Sequence, residues 1–120
     1  MITTEEIREF ALSLPHVTEE TPFGPDNLVY KVGGRMFLLL SLDEPYPFFN
    51  VKCDPERAID LRVRYEAVTP GYHMHKAHWN SIRGDKDLDK KGVIQEIKLS
   101  YDLVFDKLPK KVKAELQQNV

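Results

Sequence analysis

Leu28-Val29-Tyr30-Lys31-Val32-Gly33-Gly34-Arg35-Met36-Phe37-Leu38-Leu39-Leu40-Ser41 is the stretch that decides the fold. Leu28, Tyr30 and Val32 alternate with Val29 and Lys31, two glycines follow, and an apolar run resumes after Arg35. Period-two alternation sends successive side chains to opposite faces of a strand, and a Gly-Gly pair is free to take the positive φ of a tight reversal. The stretch therefore reads as a β-hairpin. Val-Gly-Gly-Arg is not a phosphate loop, because it lacks the Gly-x-x-x-x-Gly-Lys-Ser/Thr spacing and the following helix that would aim amides at an anion.

Beyond the hairpin, Asp43-Glu44-Pro45-Tyr46-Pro47 breaks the sheet and Phe48 to Lys52 is the next strand. Phe49, Val51 and Cys53 share one face of it; Phe48, Asn50 and Lys52 share the other. Asp54-Pro55 starts a helix with a capping side chain and a pre-organised first residue. Ala58, Leu61 and Tyr65 form its apolar stripe, while Arg57, Arg62, Arg64 and Glu66 read as a solvated flank. Val68-Thr69-Pro70-Gly71 leaves that helix, and His78 to Arg83 is a strand that turns at Gly84-Asp85. Asp87 or Asp89 caps a long helix carrying Val93, Ile97, Tyr101, Val104 and Leu108 toward the core, and Pro109 restarts a short amphipathic tail with Lys110, Lys111 and Lys113.

On the other side of the hairpin, Thr3 and Glu6 form a capping box, and Ile7, Phe10, Ala11 and Leu14 line one face of a helix that Pro15 stops. His16 to Thr21 is short and extended. Pro22-Phe23-Gly24-Pro25-Asp26 is a stiff loop in which Phe23 and Asp26 are candidates for a pocket rim. The order predicts an α+β fold of two layers, an antiparallel sheet with helices packed on one face.

A chain of 120 residues with no long Pro/Gly/Ser-rich tract is expected to form one domain. Its 42% hydrophobic and 30% charged residues are ordinary for a folded protein, and the run Met36 to Leu40 is too short to span a bilayer. The acidic start, Met1 to Glu6, is unlike a signal or transit peptide, so a cytoplasmic location without membrane contact is expected. Cys53 is the only cysteine and implies no disulfide and no thiolate metal site. Residues 1–60 carry 5 Lys+Arg against 11 Asp+Glu, net −6, and residues 61–120 carry 12 against 8, net +4, which sum to the overall −2. That division permits a local basic stripe on a chain too acidic to be a strong non-specific nucleic-acid binder.

Chemistry concentrates in Thr69-Pro70-Gly71-Tyr72-His73-Met74-His75-Lys76-Ala77-His78-Trp79-Asn80, which holds three of the four histidines and the only tryptophan. Such residues would build a recognition surface or, equally, a polar-tipped corner of the core. If the stretch is a strand, His73 and His75 face one side, which raises a metal site with His78. A further ligand, and acceptors to orient the imidazoles, cannot be placed, so neither a metal nor a cofactor is expected. No nucleophile motif surrounds Cys53 or Ser81 and no paired carboxylates stand out, so enzymatic function is unsupported and no catalytic residue is assigned.

Pro22-Phe23-Gly24-Pro25-Asp26, Lys31-Val32-Gly33-Gly34-Arg35-Met36-Phe37, Lys52-Cys53-Asp54-Pro55-Glu56 and Thr69-Pro70-Gly71-Tyr72-His73-Met74, with Lys76, His78, Trp79 and Asn80, resemble the MmcQ/YjbR family. The likeness runs through the whole chain and includes Ser100-Tyr101 and Lys107-Leu108-Pro109-Lys110-Lys111. It implies a small bacterial protein with a CyaY-like or secretion-chaperone-like α+β fold and a double-wing DNA-binding role. His75 departs from the family pattern, where Asn is common, which argues against a three-histidine metal site. The matching positions Tyr72, His73, Lys76, His78, Trp79 and Asn80 are the expected working surface, together with Arg83. Lys76 and Arg83 suit phosphate, Tyr72 and Trp79 suit stacking, and Asn80 suits a base edge. Two other uses remain open: a protein-interaction or chaperone-like module, and a small-molecule binder with a pocket around Phe23, Tyr72, His73 and Trp79. A monomer is favoured.

Overall fold

A computed structural model describes residues 1–118 of the chain. In chain order the elements are α1 (Thr4–Ser13), β1 (Val17–Glu20), β2 (Asn27–Val32), β3 (Arg35–Ser41), β4 (Phe48–Lys52), α2 (Pro55–Arg64), β5 (Val68–Pro70), β6 (Trp79–Arg83), α3 (Lys90–Asp106) and α4 (Lys110–Gln118). The strands form one antiparallel sheet in the order β1-β2-β3-β4-β6-β5, with the helices packed against one face. The hairpin at its centre is β2 and β3, and Gly33 and Gly34 turn it with φ of 59° and 81°, the doubly positive turn that matches strand twist. Gly33 is needed twice over: a Cβ there would stand 2.6 Å from Leu108 Cδ1, so the hairpin tip seats directly against the end of α3.

The register of β2 on β3 slips between Tyr30↔Leu38 and Lys31↔Met36, leaving Phe37 as an extra residue. A bulge lets two consecutive side chains turn the same way, and Phe37 and Leu38 are both fully buried in the core. Phe37 meets the Tyr101 ring of α3 edge-on at 5.3 Å. The same irregularity ends the β3–β4 ladder at Leu38↔Val51, one pair short of Phe37 and Lys52. Ser100 of α3, fully buried, fills the place of the missing bond. Its hydroxyl donates to the Phe37 carbonyl (2.6 Å) and accepts from the Lys52 amide (2.8 Å).

Thr3 and Glu6 cap α1 reciprocally, Asp54 caps α2, and the stripe Val93, Ile97, Tyr101 and Val104 of α3 is buried. Asp89 caps α3; Asp87 instead accepts from the Glu66 and Ala67 amides (3.0 and 2.8 Å) and fastens the exit from α2. Hydrogen bonds from Ala67 and then Glu66 hold the Asp87 carboxyl below its usual range. Two expectations need correction. Val68–Pro70 is a strand, too short to show a pattern, that pairs with β6. Arg57 and Arg62 are not a solvated flank: Arg57 forks onto Glu96, whose side chain is 5% exposed, and that pairing raises the guanidinium's already high pKa.

Ser100→Ala should test the stitch between α3 and the sheet. Leaving a buried carbonyl and a buried amide without partners costs about 1–3 kcal/mol for each group, so urea unfolding should show a loss on the order of 2–4 kcal/mol with the slope unchanged. A loss below about 0.5 kcal/mol would mean that the two strands close on each other without it.

Candidate functional site

The face of the sheet away from the helices carries the site. Cross-strand register aligns Leu39, Asn50 and Ser81 in one row and Ser41, Phe48 and Arg83 in the next, both opposite the core row of Leu40, Phe49 and Ile82. Three loops rise over these rows: the β1–β2 loop with Phe23, the β3–β4 loop with Asp43 and Glu44, and the β5–β6 loop with Tyr72, His73 and Met74. Between them lies a cleft of about 450 Å³, floored by Asn27, Met36, Leu39, Ser41, Phe48 and Asn50. Phe23 and Tyr72 stand at its rim 66% and 62% exposed, whereas Phe37 and Phe49 are fully buried.

The β5–β6 loop is the Tyr72 to His78 stretch, which the sequence allowed to be a strand. It is instead a folded loop closed at its base by Gly71 N–H to Trp79 O (2.9 Å), with Met74 N–H on Gly71 O and both His78 and Trp79 N–H on His75 O. Gly71 allows that closure, since a Cβ would lie 2.8 Å from Trp79 Cβ and 2.9 Å from Trp79 O. His73 sits at φ 59°, a left-handed conformation in which histidine is among the better tolerated residues, and its ring lies 4.0 Å from that of Tyr72. Arg62 locks the loop from beneath: Nε donates to Asn80 Oδ1 (2.7 Å), and Nη2 donates to the carbonyls of Lys76 and Trp79.

A second tether joins the loop to the cleft floor. Tyr72 N–H donates to Ser81 Oγ (2.8 Å), whose hydroxyl donates to Asn50 Oδ1 (2.5 Å). Asn50 is 3% exposed, yet its Nδ2 has no partner among the described residues. Every fully enclosed side-chain polar atom among those residues does have one, so the amide nitrogen of Asn50 is not sealed off, and Asn50 lines the cleft.

The residues singled out from the sequence separate into groups. Phe23, Tyr72 and His73 meet at the cleft. Asp26 does not line it; its carbonyl receives Leu42 N–H (2.8 Å), tying the β1–β2 loop to the end of β3. Asn80 is 1% exposed, its side-chain amide held by Arg62 and by Ala58 O, which removes it from any edge contact. Trp79 is half-buried over Gly71 and outside the cleft. Lys76 Nζ donates to Gly71 O (2.9 Å), and Arg83 is held bidentately by Asp85 (3.0 and 2.8 Å) with its guanidinium 3.6 Å over the Tyr46 ring. Lys86 pairs with Glu66 and Lys90 with Glu6. These four cations are thus engaged within the fold, Lys76 by a carbonyl and the other three by carboxylates. A second basic group lies elsewhere: Arg35 Nη1 donates to Lys107 O, and Lys52 lies close enough to both that burial first, then repulsion from Lys107 and Arg35, lowers its pKa.

The His75 and His78 rings lie 4.9 Å apart, tilted by 39°, while His73 turns to Tyr72, and among the described residues no three His, Cys, Asp or Glu side chains are grouped as a metal would need. Burial pushes the Cys53 thiol up, against the opposing effect of Arg57 at 3.6 Å, so it behaves as a small core residue. Asn27, Met36, Leu39 and Asn50 were not singled out. The only signal for Asn50 was its place on the non-core face of β4.

Fold and site together define a one-sided α+β sheet protein with a ligand-sized cleft on its uncovered face. The YjbR family profile matches residues 12–103, and the chain belongs to that family. It is 37% identical over 107 residues to the uncharacterized protein YbdF of Escherichia coli O157:H7, covering 89% of this chain and 88% of that one. It is 25% identical to the uncharacterized protein YjbR of E. coli K12, covering 98% and 99%. Among solved structures, the Deinococcus radiodurans protein DR2400, a DUF419 domain, superposes with a TM-score of 0.91 at 32% identity, covering 98% of this chain and 89% of that one. A Pseudomonas syringae protein at 21% identity, covering 86% and 99%, shares the fold with a TM-score of 0.75. Among the described residues no helix is long and apolar enough to cross a membrane.

Arg62→Lys keeps the charge but loses the planar fork that reaches three acceptors. Hydrogen exchange should then accelerate at the amides of Met74, His78 and Trp79, with the Ile97 to Val104 amides of α3 unchanged. Equal acceleration in both places would mean that Arg62 stabilises the whole fold rather than this loop.

Proposed function

We propose that the chain is a binding module that works through the open face of its sheet and takes a small, flat organic molecule into the cleft there. The observation that carries this reading is the pairing of two exposed aromatic rings, Phe23 and Tyr72, above a floor of Leu39, Met36 and Phe48 with a free amide donor at Asn50. Apolar walls with a few placed polar groups are the usual make-up of a small-molecule site, and the volume falls within the usual range. The cleft is built on sheet rows and on a loop locked by Arg62, so it is largely formed before a ligand arrives. A neutral planar dye such as Nile red is a direct probe. Phe23→Ala and Tyr72→Ala should each weaken it about 2- to 10-fold, the worth of one aromatic contact. Leu39→Arg should abolish binding while leaving the far-ultraviolet spectrum and melting temperature near wild type. Undiminished binding by Leu39→Arg would overturn the assignment.

Weak, phosphate-dominated binding of DNA is a second reading, favoured by the Arg35, Lys52 and Lys107 group, in which Lys52 and Lys107 make no ion pair among the described residues. This group, rather than the engaged Lys76 and Arg83, would meet phosphate. In fluorescence-anisotropy titrations, Lys52→Ala with Lys107→Ala should weaken binding equally across sequences and flatten the logarithmic salt dependence by about 0.9 for each phosphate no longer neutralised. Affinity that ignores this pair but falls with Lys76→Ala would place the DNA on another surface.

A further inference from the structure

The charges around the open-face cleft narrow the class of molecule it can take, and that selectivity rests on the small-molecule reading of the cleft. Asp43 and Glu44 line the cleft at the end reached by the β3–β4 loop, and neither forms an ion pair among the described residues. Among those residues no lysine or arginine lines it; its basic group is the imidazole of His73. Of the open-face cations, Lys31 is committed to Glu20 and Arg83 chiefly to Asp85, with Glu44 a weaker electrostatic neighbour of Arg83. Deeper in the cleft, Asn50 is part of the lining, only 3% exposed, and its Nδ2 has no partner among the described residues.

We infer that the cleft selects a planar aromatic cation with a hydrogen-bond acceptor at the end opposite its charge: the acceptor meets Asn50 Nδ2 and the positive end lies toward Asp43 and Glu44. Three independent features demand the same ligand. Unpaired carboxylates attract a cation and repel an anion. The exposed faces of Phe23 and Tyr72 favour a flat body and add cation–π attraction. A nearly buried N–H without a partner rewards an acceptor and penalises a purely apolar edge. The tether from Asn50 Oδ1 through Ser81 to Tyr72 N–H fixes the donor's orientation in advance, so little ordering is left to binding.

Three acridones that share the C9 carbonyl acceptor and differ in the charge carried on N10, at the opposite end, test this at pH 8 and low salt: 10-(2-trimethylammonioethyl)acridone, a cation; acridone itself, neutral; and acridone-10-acetate, an anion. The cation should bind at least about tenfold more tightly than the anion. The double substitution Asp43→Asn, Glu44→Gln should shrink that ratio below about threefold, weakening the cation and strengthening the anion. Acridone should shift the side-chain amide resonances of Asn50 in a nitrogen–proton correlation spectrum. An anion that binds as well as the cation, yet is lost in Leu39→Arg, would overturn the charge selection and leave the cleft assignment standing. Acridone complexes that leave the Asn50 resonances unmoved would overturn the role of Asn50. No binding by any of the three, nor by Nile red, would remove the cleft assignment itself.

Discussion

Much of the molecule hangs on one hydroxyl. The bulge that turns Phe37 into the core leaves β3 and β4 one backbone pair short, and an unpaired buried amide or carbonyl is among the costlier faults a sheet can carry. Ser100 answers it from the middle of α3, and because its two bonds are short and directional, they fix the depth at which the helix crosses the sheet. The placement of that helix's other side chains is then set: Ile97 and Val104, about one turn to either side, enter the core, Tyr101 meets Phe37, and Leu108, just past the helix end, arrives at the hairpin tip. The register of β4 also sets which side chains face the open side, so the floor of the cleft is positioned by a contact on the opposite face.

That one-sidedness makes the site. With the helices gathered on one layer, the other face of the sheet would be solvated were it not for three loops that fold over it. Two of them are tied down by backbone or buried side-chain bonds: Asp26 O to Leu42 N–H for the β1–β2 loop, and the Arg62 fork with the Tyr72–Ser81–Asn50 chain for the β5–β6 loop. Loops held in this way over a mixed floor leave a recess whose shape is set in advance, which is the basis of the binding proposed for it.

Local periodicity made the architecture readable. The alternation through Leu28 to Val32, the Gly-Gly reversal, the Thr3 and Glu6 cap and the stripe from Val93 to Val104 all appear in the structure as the residues imply. What stayed hidden depends on partners distant in sequence. Ser100 looks like an indifferent polar residue until a bulge 63 residues away supplies its acceptor. Arg57 and Arg62 look like a helix's wet flank until Glu96 and the backbone of the β5–β6 loop fill their forks. The Tyr72 to His78 stretch has aromatic residues spaced as a strand might have them, but Gly71 and the left-handed His73 fold it back. Of the candidate residues, the exposed rings Phe23 and Tyr72 were visible because large apolar groups in stiff loops are unusual. Asn50 was not, because an asparagine on the outer face of a strand reads as solvated until loops are known to cover it.

The two margins of the sheet decide from which direction anything can approach. β1 is four residues long and ends in Glu19-Glu20, and β5 is three residues long and ends in Pro70, which has no amide hydrogen to offer. Short, charged or proline-bearing borders are poor templates for a further strand. Extension of the sheet by an incoming polypeptide is therefore disfavoured at both sides, and so is the lateral fusion of two molecules into a continuous sheet. On the reading proposed for the cleft, a ligand comes down onto the broad face, where side chains and loop tips would meet it instead of the repetitive and sequence-blind ladder of main-chain bonds.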